Sequence, residues 1–224
     1  MSRPLDEFVR EYGEGSRLRV RQGVISSVQA GRTLTVTIAG STTAVSGVRY
    51  VEGMVPVPGA NVWLISDGTD LWALGSLGTT SSTIAPRVYR TTDQTLTTAT
   101  DTAVTWEADA NDNAGMWVIG SPTVLTCVVP GWYTAAANVR FAANGTGFRA
   151  AWIEKNATTT LGRADIIATA AGSPTRFTVA APAFNLAIGD TVRLMVSQNS
   201  GGNLALAATA ETWTPSLSVH YIGP

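Results

Sequence analysis

The sequence predicts an all-β protein of two modules, a five-stranded barrel followed by a two-sheet antiparallel jelly roll, and three observations carry that expectation. Apolar and polar residues alternate in one short run after another, each bounded by Gly, Pro or Asn, which is the pattern of half-buried strands. Helical spacing occurs only close to the N-terminus. Charged residues make up 14% of the 224 positions, against about 25% in ordinary soluble domains, so the surface is left to Thr, Ser, Asn, Gly and Ala. A weakly charged β-rich surface invites association, and the expectation is that other subunits cover much of it.

The clearest strand lies between Pro130-Gly131 and Asn144-Gly145, where Tyr133, Ala135, Ala137, Val139 and Phe141 fall on one side of a period-two alternation. The residues Asn144 to Gly147 offer a tight reversal, and Phe148 to Glu154 is read as the returning arm of an antiparallel hairpin. A lone hairpin is marginal in water, so its apolar face calls for a second sheet.

Several function classes drop out on composition. Formal net charge is −1, and the basic residues are scattered arginines plus Lys155, so nothing steers the chain to nucleic acid or to an anionic membrane surface. The N-terminal segment carries charges where a secretory signal has its apolar core, and no run is long enough to span a bilayer. Synthesis in the cytoplasm is expected. Cys127 is the only cysteine, which excludes an internal disulfide frame.

In chain order, residues 1–16 form an arm in which Leu5, Phe8, Val9 and Tyr12 keep helical spacing between Pro4 and Gly13; it is read as a short docking helix or a frayed arm. Residues 17–77 hold five short strands, Leu18 to Val28, Leu34 to Ile38, Ala44 to Tyr50, Val62 to Ser66 and Leu71 to Leu77, enough for a small closed barrel. Residues 78–86 have the Ser/Thr-rich character of a linker. Residues 87–224 contain at least eight further runs: Val88, Val104 to Trp106, Val124 to Val128, the two arms of the hairpin, Ile166 to Ala168, Phe177 to Val179, Val192 to Val196, Leu204 to Leu206 and Leu217 to Tyr221. That count without helices indicates a jelly roll.

Two resemblances follow from these residues. Gly23-Val24-Ile25 with Val28, then Pro58 to Leu64, Asp67-Gly68 and Leu74 to Leu77 resemble the OB-fold module of phage tail-tip and spike proteins, with Ala60 standing where that family usually has Asp. Gly131-Trp132-Tyr133, Val139-Arg140-Phe141, Asn156, Leu186 to Asp190 and Val192-Arg193-Leu194 resemble the globular head of complement and tumour-necrosis-factor-like proteins. Trp106, Gly115-Met116-Trp117 and Ser197 to Gly202 are similar to the version carried by phage fibres and minor tail proteins. The last strand lacks the Phe-x-Gly that such heads often carry. The second resemblance implies a homotrimer.

If Tyr133, Val139, Phe141, Val192, Leu194, Val196, Leu217, Val219 and Tyr221 face the core, the opposite face carries Trp132, Asn138, Arg140, Arg193, Met195, His220 and Ile222. Trp, Met and Ile there suit a trimer interface. With both termini at the base, the far end should present Asp109, Asn111, Asp112, Asn113, Asn144, Thr146, Glu211 and Trp213 as receptor-binding loops. Amide and aromatic side chains of that kind suit a glycan, through hydrogen bonds and stacking.

Catalysis finds little support. His220 is the only histidine, Cys127 sits within a strand, and no metal-ligand spacing, nucleophile elbow or phosphate loop occurs. Asp109 to Asn113 offers oxygen ligands without the spacing of a calcium loop. No enzyme, cofactor or metal is expected. The resemblances imply a phage virion structural protein, a minor tail protein at the tail tip, anchored to other phage tail proteins by the barrel and meeting a host-surface glycan or protein with the trimeric head. A capsid decoration protein or head fibre, and a cell-wall polysaccharide depolymerase, are the alternatives.

Overall fold

The computed structural model describes residues 19–29, 31–51, 54–68, 70–77, 84–208 and 214–223. Two compact units divide the chain between positions 82 and 83. The helix expected over Leu5 to Tyr12 and the loop residues Glu211 and Trp213 lie outside the described residues.

The first unit is a closed, OB-like barrel of β1 (Arg19–Gln29), β2 (Thr33–Ile38), β3 (Ala44–Tyr50), β4 (Asn61–Ser66) and β5 (Leu71–Leu77), in the order β1-β2-β3-β5-β4 with β4 returning to β1. Only the β3–β5 junction is parallel, through Arg49↔Trp72 and Tyr50↔Ala73. Ile25, Leu34, Val36, Val48, Val62, Leu64 and Ala73 fill the interior and are fully or almost fully buried. β1 passes close over this core at Gly23, where a Cβ would sit 2.8 Å from Leu64 Cδ1 and 3.0 Å from Thr37 O. Trp63 points outward, and Trp72 lies under the Arg49 guanidinium, 5.4 Å from the ring centroid.

The second unit is a two-sheet antiparallel jelly roll. Its strands are β6 (Arg87–Tyr89), β7 (Gln94–Leu96), β8 (Thr102–Ala103), β9 (Ala108–Ala110), β10 (Leu125–Thr126), β11 (Gly131–Phe141), β12 (Phe148–Lys155), β13 (Thr159–Ile167), β14 (Thr175–Leu186), β15 (Thr191–Gln198), β16 (Leu204–Leu206) and β17 (Ser216–Gly223). Seven of them form one sheet, ordered β7-β16-β11-β17-β6-β9 with β14 on the other edge of β11; the second sheet runs β10-β15-β12-β13 with β8 also on β15.

β11 alternates as expected. Tyr133, Ala135, Ala137, Val139 and Phe141 are buried, while Trp132 and Ala136 are exposed. Against them pack Ile153, Val192, Leu194 and Val196 from the second sheet, together with Leu217 and Val219 beside β11 in its own sheet. Tyr221 meets Tyr133 edge-on at 5.2 Å. Two strand readings change. The expected hairpin of 130–156 does not form, because β11 is already bonded to β14 on one edge and to β17 and β16 on the other. β12 crosses instead to the centre of the second sheet, where its near-continuous buried run, Arg149 to Ile153, is covered on both faces. Val104 to Trp106 is not a ladder strand; β8 ends at Ala103, and the Trp106 amide bonds to Pro122 O (2.8 Å).

The open side of the sandwich closes where β13 faces β14. The two backbones come so near that a Cβ on Gly162 would lie 2.1 Å from Ala180 O. At the turn between β6 and β7, one carboxylate gathers several donors. Glu107 accepts the amides of Thr91 (2.6 Å) and Thr92 (2.8 Å), both their hydroxyls, and Arg90 Nη2 (2.9 Å). Burial acts to raise the Glu107 carboxyl, but the Thr92 and Thr91 hydrogen bonds outweigh it and hold the group down at about 2.

A carboxylate with a depressed folded pKa adds stability above its unfolded value, lost as pH falls through the folded one. Glu107 therefore stabilises the head fully above about pH 4.5 and loses that contribution on the way down to about 2. Glu107→Gln should lower the urea midpoint at pH 7, and the gap to the wild type should shrink as pH falls across that window. A gap that does not change with pH would contradict this role.

Candidate functional site at the apex of the head

The strand directions give the head two ends. β11 climbs from Gly131 at the base to Phe141 at the apex, and β17 descends from Ser216 to Gly223 beside it. Ile84 O accepts the Tyr221 amide (2.9 Å), so the chain enters this unit near the base and β17 ends there. The loops 97–101, 142–147, 168–174 and 199–203 all lie at the apex, between β7 and β8, β11 and β12, β13 and β14, and β15 and β16.

Two fully buried polar side chains hold these loops. Arg149 opens the buried run of β12, and its guanidinium donates from Nη1 to Thr146 O (3.0 Å) and Phe148 O (2.9 Å) and from Nη2 to Asn144 O (2.8 Å). It lies 5.9 Å from the Phe141 ring centroid. Burial lowers its pKa, yet a guanidinium stays protonated in a protein, so the charge is met by three carbonyl dipoles and, among the described residues, by no acid. Gln198 Nε2 donates to Leu96 O (3.1 Å) and Gly202 O (2.9 Å), and its Oε1 accepts the Ser200 amide (2.7 Å).

Shorter links join the loops to each other. Asn199 Oδ1 accepts the Phe148 amide (2.6 Å), Thr98 Oγ1 accepts the Gly201 amide (3.2 Å), and Gly147 O accepts the Ala168 amide (2.9 Å). Gly147 has φ +76°, and a Cβ there would meet Asn199 Oδ1 at 2.1 Å, so a side chain is excluded twice over. Phe148 and Ile167 pair directly across β12 and β13 at this rim, 38% and 84% exposed. An accessible ring and aliphatic side chain beside amides is a surface that can stack on and hydrogen-bond to a ligand.

Of the residues expected at the far end, Asn144 and Thr146 are there, with Asn144 Oδ1 holding the Thr146 amide (2.8 Å). Asp109 to Asn113 is not. β9 runs antiparallel to β6, with Ala108 opposite Tyr89 and Ala110 opposite Arg87, so the chain leaves it toward the base. Asp112 there accepts the Met116 (2.9 Å) and Trp117 (2.8 Å) amides, which gives its carboxylate a turn-holding task. Sequence reasoning missed Arg149, Gln198, Asn199, Phe148 and Ile167 as site residues. The legible signal was a lone arginine inside the apolar run of β12.

The residues expected at a subunit interface divide between two surfaces. Trp132, Asn138 and Arg140 of β11 and His220 and Ile222 of β17 share the outer face of the seven-stranded sheet. Its centre is built of small side chains, Ala136 lying opposite both Ala180 and Ser218. Arg193 and Met195 belong to β15 in the other sheet and lie on the far side of the core. Arg193 is bonded to Glu154 (2.8 Å), and Met195 packs with Ala150 and Trp152.

At the base, Asn156 Nδ2 donates to Asp190 (2.7 Å), and Lys155 lies 2.7 Å from the same carboxylate. Burial acts to raise Asp190, but the Asn156 and Lys155 side chains and the Ala187 amide hold it at about 2. Cys127 is buried in the core, its thiol donating to Val129 O (3.0 Å) and pushed up to about 11 by burial, whereas His220 lies on the outer sheet face. The two do not pair. Among the described residues no three His, Cys, Asp or Glu side chains converge.

Arg149→Met removes the donors of the 142–147 loop and leaves three carbonyls without them, costing roughly 2 kcal/mol. Hydrogen exchange of amides in 142–148 and 199–202 should speed up by about tenfold or more while those of β11 stay slow. Unchanged exchange in 142–148 would count against the clamp.

No protein-family model and no curated protein matches the chain. Solved structures similar to it include crystal structures of murine APRIL at pH 8.0, pH 8.5 and pH 5.0, each with 14% identity and covering 62% of this chain. Their TM-scores are 0.45, 0.42 and 0.43, over 99%, 98% and 98% of their own chains.

Proposed function

We propose that this chain is a bacteriophage virion structural protein, a minor tail protein at the tail tip, which binds and does not turn over a substrate. The barrel anchors it to other tail proteins, and the head, as a homotrimer, offers its apex to a host-surface glycan. The observation that carries the binding role is the apex itself: four loops joined through Arg149, Gln198, Asn199, Thr98 and the Gly147 carbonyl, at the end of the head opposite the one where the chain enters. Preorganised loops on a rigid sandwich suit recognition, because little freedom is lost on binding. The phage setting is supported by the tail-tip and fibre resemblances of the barrel and head sequences.

The trimer is supported by the outer face of the seven-stranded sheet. Trp132 and Ile222 are 47% and 56% exposed there beside a field of small side chains, Ala136, Ala180 and Ser218. A face of small residues lets a second copy approach closely. The structural role agrees with the buried, deactivated thiol of Cys127 and with its separation from His220.

Antibodies raised against the chain should place gold at the tail tip of intact virions; label on the capsid, or none, would overturn the tail reading. Purified protein should sediment with the mass of three 23.4 kDa chains, and Ala136→Glu, which puts a charge into the small-residue field, should shift it to one. A wild-type monomer at micromolar concentration would remove the trimer.

A further inference from the structure

We infer that Arg140 and Arg176 form a binding site for a phosphate group on the apical part of the seven-stranded sheet's outer face. The two arginines are directly opposite each other in the β11–β14 register. Like charges in that position destabilise a sheet unless something of opposite charge lies between them. The nearest partners on the same face are neutral: Asn138 and Thr178, one residue pair further along, are bonded to each other (2.8 Å).

Charge accounting within the head sharpens the point. Arg90, Arg163, Arg193 and Lys155 each pair with an acid, Glu107, Asp165, Glu154 and Asp190 respectively. Among the described residues, no salt bridge involves Arg87, Arg140, Arg149 or Arg176, and of these only Arg140 and Arg176 lie directly opposite each other. Asp93, which precedes β7 at this end of the sheet, has its Oδ1 on the Ala208 amide (2.8 Å). Arg140 Nε is shielded from solvent and has no acceptor within hydrogen-bond reach. That atom is as closed to an oxyanion as to water, so an anion would be held by the outer Nη donors of half-buried Arg140 and exposed Arg176.

Arg149 adds to the local field. It comes up from the core side to 5.9 Å from the Phe141 ring, next in sequence to Arg140, and its guanidinium too lacks an acid partner. Among the described residues these three arginines have no carboxylate partner, and all three belong to the apical part of the head, Arg149 on the core side of the sheet and Arg140 and Arg176 on its outer side. Planar guanidiniums bind phosphate through paired N–H donors, and two of them facing one anion match its several oxygens. The same chemistry accepts a free phosphate ion or a phosphate ester carried on a surface polymer. The site is formed within one chain and does not rest on the tail assignment; it shares the outer sheet face with the proposed trimer contact, so it is open to an anion where that contact, centred on Ala136, stops short of Arg140 and Arg176.

Thermal unfolding of the full chain, at constant ionic strength with chloride replaced stepwise by inorganic phosphate, tests the inference. The wild type should show a saturable rise in Tm of about 3 °C or more. Arg176→Gln, a change at an exposed position, and Arg140→Gln should each abolish it. Arg163→Gln, whose guanidinium is already held by Asp165, should keep it. Glucose 6-phosphate in place of the ion distinguishes the sources: saturation at lower concentration points to an ester on a polymer, and saturation only by inorganic phosphate points to the free ion. No rise in the wild type, or the same rise in Arg140→Gln and Arg176→Gln, would overturn the site.

Discussion

The head depends on a single constraint: β11 is hydrogen-bonded along both edges while one entire face of it is core. A strand in that position cannot slip, because a one-residue shift would exchange Tyr133, Val139 and Phe141 for Trp132, Asn138 and Arg140. It also cannot accept its sequence neighbour as a partner. The chain leaving Phe141 must cross to the other sheet, and the apical loop 142–147 exists because of that crossing. The same strand fixes which residues look outward, and so brings Arg140 and Arg176 into register and sets Ala136 in a field of small side chains.

Loops at the end of a sandwich are ordinarily the least ordered part of it. Here the order comes from within the core. Arg149 and Gln198 are both fully buried, and each sends its donors up into the loops and not sideways to an ion pair. A buried guanidinium is costly to desolvate, so its retention needs near-complete hydrogen bonding. Two loop carbonyls and that of Phe148 at the start of β12 supply most of that, and loop geometry and core packing therefore stand or fall together. Gly147, pressed against Asn199, shows how little slack remains.

Much of this was legible in the residues. The period-two runs placed all five barrel strands and the inward face of β11, because alternation reports burial on one side of a strand and burial is what the sandwich enforces. Partnership between strands was not legible. The run from Gly131 to Glu154 has the appearance of a hairpin, and only competition from β14 and β17 for the edges of β11 excludes it. The end of the head at which Asp109 to Asn113 emerges depends on β9 pairing with β6, a contact of three residues with no periodic signature. Met195 and Trp132 look alike as outward apolar residues, yet lie on opposite sides of the core, a distinction that needs the sheet assignment. Arg149 announced itself only as a charge inside an apolar run, and its task became evident once its acceptors were known.

That β11 separates an apex from a base, with loops 142–147 and 168–174 together at one end and 187–190 at the other, can be measured directly by electron–electron distance between spin labels. The exposed positions Ala143, Ala170 and Ala187 accept labels, and the native thiol of Cys127 is buried. In protein diluted with unlabelled chain, the 143–170 pair should lie under about 20 Å, while the 143–187 pair should be separated by the length of the 11-residue strand, about 35 Å at the usual rise per residue. Equal distances for the two pairs, or a 143–170 pair as far apart as the strand is long, would contradict the architecture from which the binding surface follows.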